Sequence, residues 1–98
     1  MELRTRWTRK AYNDFEGIVE YLSLELGKKS ASEFCKKVFD ATELLSQFPM
    51  SGSEYNEERQ IRSLRISRNT RLFYRVKTDS VTILKLLDTR RSPGKINF

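Results

Sequence analysis

Two apolar stripes at helical spacing stand back to back in the first half of the chain, and only strand-like alternation follows them. Ala11, Phe15, Ile18, Leu22 and Leu26 recur three and four residues apart, widened by Tyr12 and Val19. Such a stripe is one face of an amphipathic helix. Asp14, Glu16, Glu20 and Glu25 lie largely away from it. Thr8 stands where an N-cap belongs, and Gly27 where a left-handed C′ residue would end the helix. Ser30-Ala31-Ser32-Glu33 reads as a capping box that starts a second helix at once. Its stripe is Phe34, Val38, Ala41, Leu45 and Phe48, flanked by Cys35 and Leu44, and Pro49 stops it. A link this short makes an αα-hairpin. Each stripe is too wide to be covered by the other helix alone, so the hairpin needs a sheet.

The remaining residues supply that sheet. Leu3, Thr5 and Trp7 alternate with Arg4 and Arg6, as in a short strand. Met50 to Glu58 is polar, contains Ser51-Gly52-Ser53, and reads as a loop. Ile61 to Ile66, Arg71 to Val76 and Val81 to Leu87 are strand-like, joined by turn chemistry at Asn69-Thr70 and Thr78-Asp79-Ser80. The order β-α-α-β-β-β predicts an α+β fold, with the helical hairpin on one face of a small, largely antiparallel four-stranded sheet. Residues 1–98 are too few for two cores, which predicts a single domain.

Charge is divided as sharply as pattern. From Arg59 onward there are eleven Lys/Arg against two acids, whereas residues 1–58 carry eight basic and eleven acidic side chains. A positive field on one rigid element suits a polyanionic partner. Strand alternation puts Arg71 and Arg75 on the side of Phe73, and Arg65 on the side turned from the helices. Arg62 shares the Leu64 side unless the strand end frays. With Arg90 and Arg91 arriving from the last strand, a concave cationic surface is expected, able to clamp phosphates bidentately. The plainer alternative is that these cations serve only solubility and protect sheet edges.

The composition excludes several chemistries. The chain has no histidine, so imidazole metal sites, Ser-His-Asp triads and Cys-His dyads are ruled out. No glycine-rich phosphate loop is present, and neither cofactor nor metal is expected. Cys35 is the one cysteine and cannot form an internal disulfide, which fits a reducing cytoplasm. The start Met1 to Trp7 has no apolar run, and no stretch is long enough to span a membrane, so a cytoplasmic protein without membrane contact is expected. Metal-free RNA cleavage could use Arg65, Arg71, Arg90 and Arg91 to brace the phosphorane. The proton acceptor would then fall to Glu57, Glu58, Lys95 or a tyrosine.

Arg71-Leu72-Phe73-Tyr74-Arg75-Val76, a turn, and Val81 through Leu87-Asp88-Thr89-Arg90-Arg91-Ser92-Pro93 resemble the C-terminal half of RelE/ParE superfamily toxins. The Trp7-Thr8 strand end, Ala11, Asp14, Phe15, Ile18 and Tyr21 on the first helix, and Phe48-Pro49 closing the second agree with that likeness. The resemblance implies the toxin of a bacterial type II toxin–antitoxin pair, inert while a cognate antitoxin wraps it. RelE-like members cleave mRNA on the ribosome, whereas ParE-like members poison DNA gyrase. Carried over by position, Arg71 matches the RelE third-strand arginine, Arg90 (or Arg91) the arginine after the last strand, and Arg65 or Arg62 the second-strand cation. Arg62, Arg75, Arg91 and Lys95 would then bind substrate around catalytic Arg65, Arg71 and Arg90. Two departures stand out. An arginine replaces the second-strand lysine, and the end Gly94-Lys95-Ile96-Asn97-Phe98 lacks the usual Tyr or His. The resemblance thus implies a ribosome-dependent mRNA endoribonuclease, with a gyrase inhibitor or an inactive toxin-derived binding module as the alternatives.

Overall fold

Seven elements follow one another in the computed structural model, which describes residues 2–91. They are β1 (Arg4–Trp7), α1 (Arg9–Leu26), α2 (Lys28–Gln47), β2 (Ser53–Asn56), β3 (Ile61–Arg65), β4 (Thr70–Val76) and β5 (Ser80–Asp88). The strands form one sheet in the order β1-β5-β4-β3-β2. β1 runs parallel to β5, and every other neighbouring pair is antiparallel. The fold is α+β with the helical hairpin on one sheet face, as the pattern of stripes predicts.

The sheet has five strands rather than four. The extra one, β2, lies in the polar segment whose composition predicts a loop, because Ser53-Glu54-Tyr55-Asn56 offers no apolar alternation. Backbone pairing to β3 alone makes it an edge strand, and the register shifts at Tyr55.

The hairpin forms as expected, with one correction. Thr8 caps α1 by accepting from Ala11 N–H at 3.0 Å. Ser30 caps nothing. α2 already begins at Lys28, and the Ser30 hydroxyl donates back to Leu26 O at 3.4 Å. Gly27 serves both helices as C-cap and N-cap, at φ 97° and ψ 166°. That combination is reached almost only by glycine, and it lets the chain reverse in a single residue.

The core lies between hairpin and sheet. Ala11, Ile18 and Leu22 from α1 meet Phe34, Val38, Ala41 and Leu45 from α2 over Leu72, Tyr74, Val81, Ile83 and Leu86. Phe15 joins the two layers, stacking on Phe34 at 5.8 Å and meeting the edge of Trp7 at 5.7 Å. Ile83 and Leu86 both face the helices although they are three positions apart. A bulge allows this: Phe73 pairs with Lys85 and Tyr74 with Ile83, leaving Leu84 over. Beyond Trp7 the β5 edge loses β1, and α1 takes over. Asp14 accepts from Leu86 N–H at 3.2 Å and receives the Lys85 ammonium at 3.6 Å.

Candidate functional site

The sheet face turned away from the helices carries Arg71, Phe73 and Arg75 from β4 and Ile61, Ser63 and Arg65 from β3. Arg65 and Arg71 stand opposite each other in register. Two like charges so placed repel, and neutral acceptors draw them apart. Arg71 Nη1 donates to Ser63 Oγ at 3.3 Å. Arg65 folds onto its own turn, donating to Ser67 O at 3.3 Å and Arg68 O at 3.2 Å. Arg75 sends two donors to Arg59 O, at 3.2 and 2.9 Å.

The middle of this face is apolar. Phe73 is fully buried and Ile61 nearly so. The Tyr55 ring, on the irregular β2, meets Phe73 edge-on at 4.9 Å. Arg65 and Arg71 are thereby separated from Arg75 by an aromatic patch. Strand alternation legible in the sequence puts these three arginines on one face. The patch between them depends on β2, which the sequence pattern hides.

The other described candidates lie elsewhere, and among the described residues the expected cationic hollow does not assemble. Arg62 pairs in register with Tyr74, on the helix side. Its Nη2 braces the loop before β2, donating to Gly52 O at 2.7 Å and Met50 O at 3.4 Å. Its buried Nε has no partner among the described residues. That loop is held on its other side by the Tyr74 hydroxyl, which donates to Pro49 O at 2.7 Å and accepts from Gly52 N–H at 3.0 Å.

Arg90 is committed to Asp88. Its Nε donates to Oδ1 at 3.0 Å and its Nη2 to Oδ2 at 2.8 Å, while its backbone N–H also reaches Oδ1 at 3.0 Å. Thr70 Oγ1 donates to Oδ2 at 3.0 Å. The Asp88 side chain is 0% exposed. Burial pushes its carboxyl up, but the Arg90 guanidinium, the Arg90 N–H and the Thr70 hydroxyl together outweigh that and hold it below its ordinary value. Arg90 is raised in turn, chiefly by its hydrogen bonds to Asp88. The pair faces the helices: Arg90 shares a cleft of about 180 Å³ with Ser30, Glu33, Phe34 and Lys37 of α2.

Arg91 turns the same way. A Cβ on Gly17 of α1 would stand 2.8 Å from Arg91 Nη2, so the guanidinium lies against the bare glycine backbone. Tyr21 adds a hydrogen bond to Arg90 O at 3.3 Å. Arg90 and Arg91 are thus fastened to α1 and do not swing over to Arg71. Lys95 lies outside the described residues.

Among the described residues no acid–base partner stands beside Arg71. Its neighbour is a serine hydroxyl, and Glu57 and Glu58 are exposed in the β2–β3 turn. Among the described residues no three of His, Cys, Asp or Glu gather as metal ligands. No described helix is long and apolar enough to cross a membrane. Arg4 and Arg6, by contrast, join the helix-free face because β1 pairs in parallel with β5. Their alternation with Leu3, Thr5 and Trp7 is a signal the sequence carries; the parallel pairing leaves none.

The model of the ParE toxin of type II toxin–antitoxin systems, the parDE kind, matches residues 5–93. The chain belongs to the ParE toxin family. Solved structures agree on the fold. One is the chromosomal ParDE system from P. aeruginosa, 22% identical at a TM-score of 0.75, covering 89% of this chain and 96% of that one. Another is a YoeB/ParE toxin from Agrobacterium tumefaciens, 15% identical at 0.63, covering 88% and 98%. A third is the RelBE2 toxin–antitoxin complex from Mycobacterium tuberculosis, 21% identical at 0.60, covering 90% and 99%. No curated protein matches closely enough in sequence to count as a relative. The family membership makes this a type II toxin of the RelE/ParE superfamily, and within that superfamily the geometry around Arg71 and Arg90 bears on what it attacks.

Proposed function

We propose that this ParE-family chain inhibits DNA gyrase by binding it, as ParE-like toxins do, and is held inert by a cognate antitoxin. The observation that carries the reading is the position of Arg90. RNA cleavage without metal must activate a 2′-hydroxyl, stabilise the phosphorane and protonate the leaving oxygen at one point. Here Arg90 neutralises the buried Asp88 on the helix side, whereas Arg71 stands on the opposite face with a serine for its neighbour. A set split between two faces suits binding better than that sequence of steps.

The antitoxin reading is supported by a cleft of about 380 Å³ in the helical hairpin, lined by Trp7, Tyr12, Phe15, Cys35, Val38 and Phe39. Phe39 is 62% exposed at its rim. An apolar, acid-bearing segment would cover it while offsetting the net charge of +6.

Inducing the chain alone in bacteria and pulse-labelling DNA and protein separately tests the proposal. DNA synthesis is expected to fall first. Early loss of protein synthesis with normal DNA synthesis would contradict it.

The RelE-like reading keeps one observation in its favour, the exposed Arg65–Arg71 pair. If it holds, cleavage of mRNA on programmed ribosomes drops at least about tenfold in an Arg71→Ala/Arg90→Ala chain.

A further inference from the structure

The sheet register gathers cations that are far apart in the sequence. Arg6 lies beside Thr82 across the β1–β5 pair, and Thr82 lies beside Arg75 across the β4–β5 pair. Arg6, Thr82 and Arg75 therefore form one row over three strands. Val81 and Ile83, on either side of Thr82, are buried under the helices, so the row faces the other way. Two strand spacings separate Arg6 from Arg75, about 10 Å between backbones. Arg4 extends the same side of the row by two residues, next to Ser80.

These cations are available. Arg4 and Arg6 are exposed, and Arg75 and Thr82 partly so. None of the ion pairs among the described residues involves Arg4, Arg6 or Arg75. Arg75 holds Arg59 O with Nε and Nη2, and Nη1 takes no part in that contact. Two acids lie near the row in the chain: Glu2, exposed and two residues before Arg4, and Asp79 in the β4–β5 turn, whose carbonyl accepts from Arg4 N–H at 3.1 Å.

We infer that this row is a contact surface for the sugar–phosphate backbone of duplex DNA. A row about 10 Å long between backbones, with an arginine at each end and a hydroxyl between them, matches the width of one phosphodiester ridge, Arg75 meeting it with the Nη1 that its contact to Arg59 O leaves over. Arginine is suited to this because its planar fork meets phosphate oxygens two at a time. The row contains no aromatic side chain, so it lacks the stacking platform that single strands require. A duplex turns its bases inward and its phosphates outward, and contacts to those phosphates are independent of sequence. The surface lies at the β4–β5 turn end of the sheet, away from the Arg65–Arg71 pair. It holds whichever cellular target the toxin attacks.

Fluorescence anisotropy of the purified 98-residue chain with a labelled duplex of about 20 base pairs, and with one of its strands, tests this over a range of salt. The duplex should bind more tightly than the single strand. Arg4→Ala/Arg6→Ala should weaken duplex binding about tenfold and reduce the salt slope by about two. Lys28→Ala/Lys29→Ala removes the same charge from exposed positions at the helix junction, and should change affinity by less than about twofold. All four side chains are exposed, so unchanged helical circular dichroism is expected in both variants. Equal losses in the two variants would reduce the effect to net charge and overturn the inference. Preference for the single strand would overturn it too. So would displacement of the duplex by polyglutamate at equal charge, which would assign the row to an acidic polypeptide.

Discussion

Asp88 is closed off from solvent, yet it stays charged because three donors from Arg90 and one from Thr70 satisfy it. Asp88→Asn removes the charge and misfits those donors, leaving a guanidinium beside a neutral amide. Breaking one partner of such a pair typically costs about 3 kcal/mol, and the partial exposure of Arg90 argues for the lower side of that. The pH dependence has a definite sign. A carboxyl held below its ordinary value of 3.8 stabilises the fold fully above that pH and loses its contribution as pH falls through the lower folded value. Urea unfolding should therefore show a wide gap between wild type and Asp88→Asn at neutral pH, closing as pH falls below 3.8. A gap that stays constant with pH would mean the carboxyl is not the stabilising group. The sequence displays Asp88 and Arg90 two residues apart, but their attachment depends on Thr70 across the sheet. Charge pattern alone makes Arg90 an outward cation, whereas the buried carboxylate turns it inward.

At the scale of elements, the apolar stripes of α1 and α2 are fully legible in the sequence, since a 3.6-residue period leaves few alternatives. Their boundary is not. Ser30-Ala31-Ser32-Glu33 fits a capping box, but Gly27 can adopt a conformation that the other residues avoid, and α2 starts there instead. The two sites separate in their mutational cost. Gly27→Ala should lower stability by about 1–3 kcal/mol, because alanine is strained at that φ and ψ whatever the space around it. Ser30→Ala should cost less than about 0.5 kcal/mol, where loss of a true cap would cost about 1 kcal/mol. Thermal unfolding of both variants checks the pair, and the reverse ranking would restore the capping box. β2 is illegible because its four residues carry no alternation and owe their conformation to the edge of β3. The Leu84 bulge and the parallel β1–β5 pairing are hidden for a related reason: both are properties of register between strands, not of either strand alone.

Over the whole molecule, the basic run that opens at Arg59 does not become a single cationic hollow among the described residues. It is distributed over both layers. Arg65, Arg71 and Arg75 stay on the open sheet face, Arg62 braces the loop before β2, Arg90 turns its guanidinium onto Asp88, and the Arg90 carbonyl and the Arg91 side chain fasten the end of β5 to α1. Meanwhile Arg4 and Arg6, from the acidic half of the sequence, join the open face through the parallel strand pair. Strand alternation sorts side chains within each strand but does not say which strands become neighbours. That distribution is the observation on which the proposed gyrase reading rests. The deciding measurement is a supercoiling reaction with purified DNA gyrase, relaxed plasmid and the chain, run beside programmed ribosomes carrying mRNA. Supercoiling should be lost as the toxin approaches the gyrase concentration, while the mRNA remains uncut. Normal supercoiling together with cleaved mRNA would contradict the assignment to gyrase.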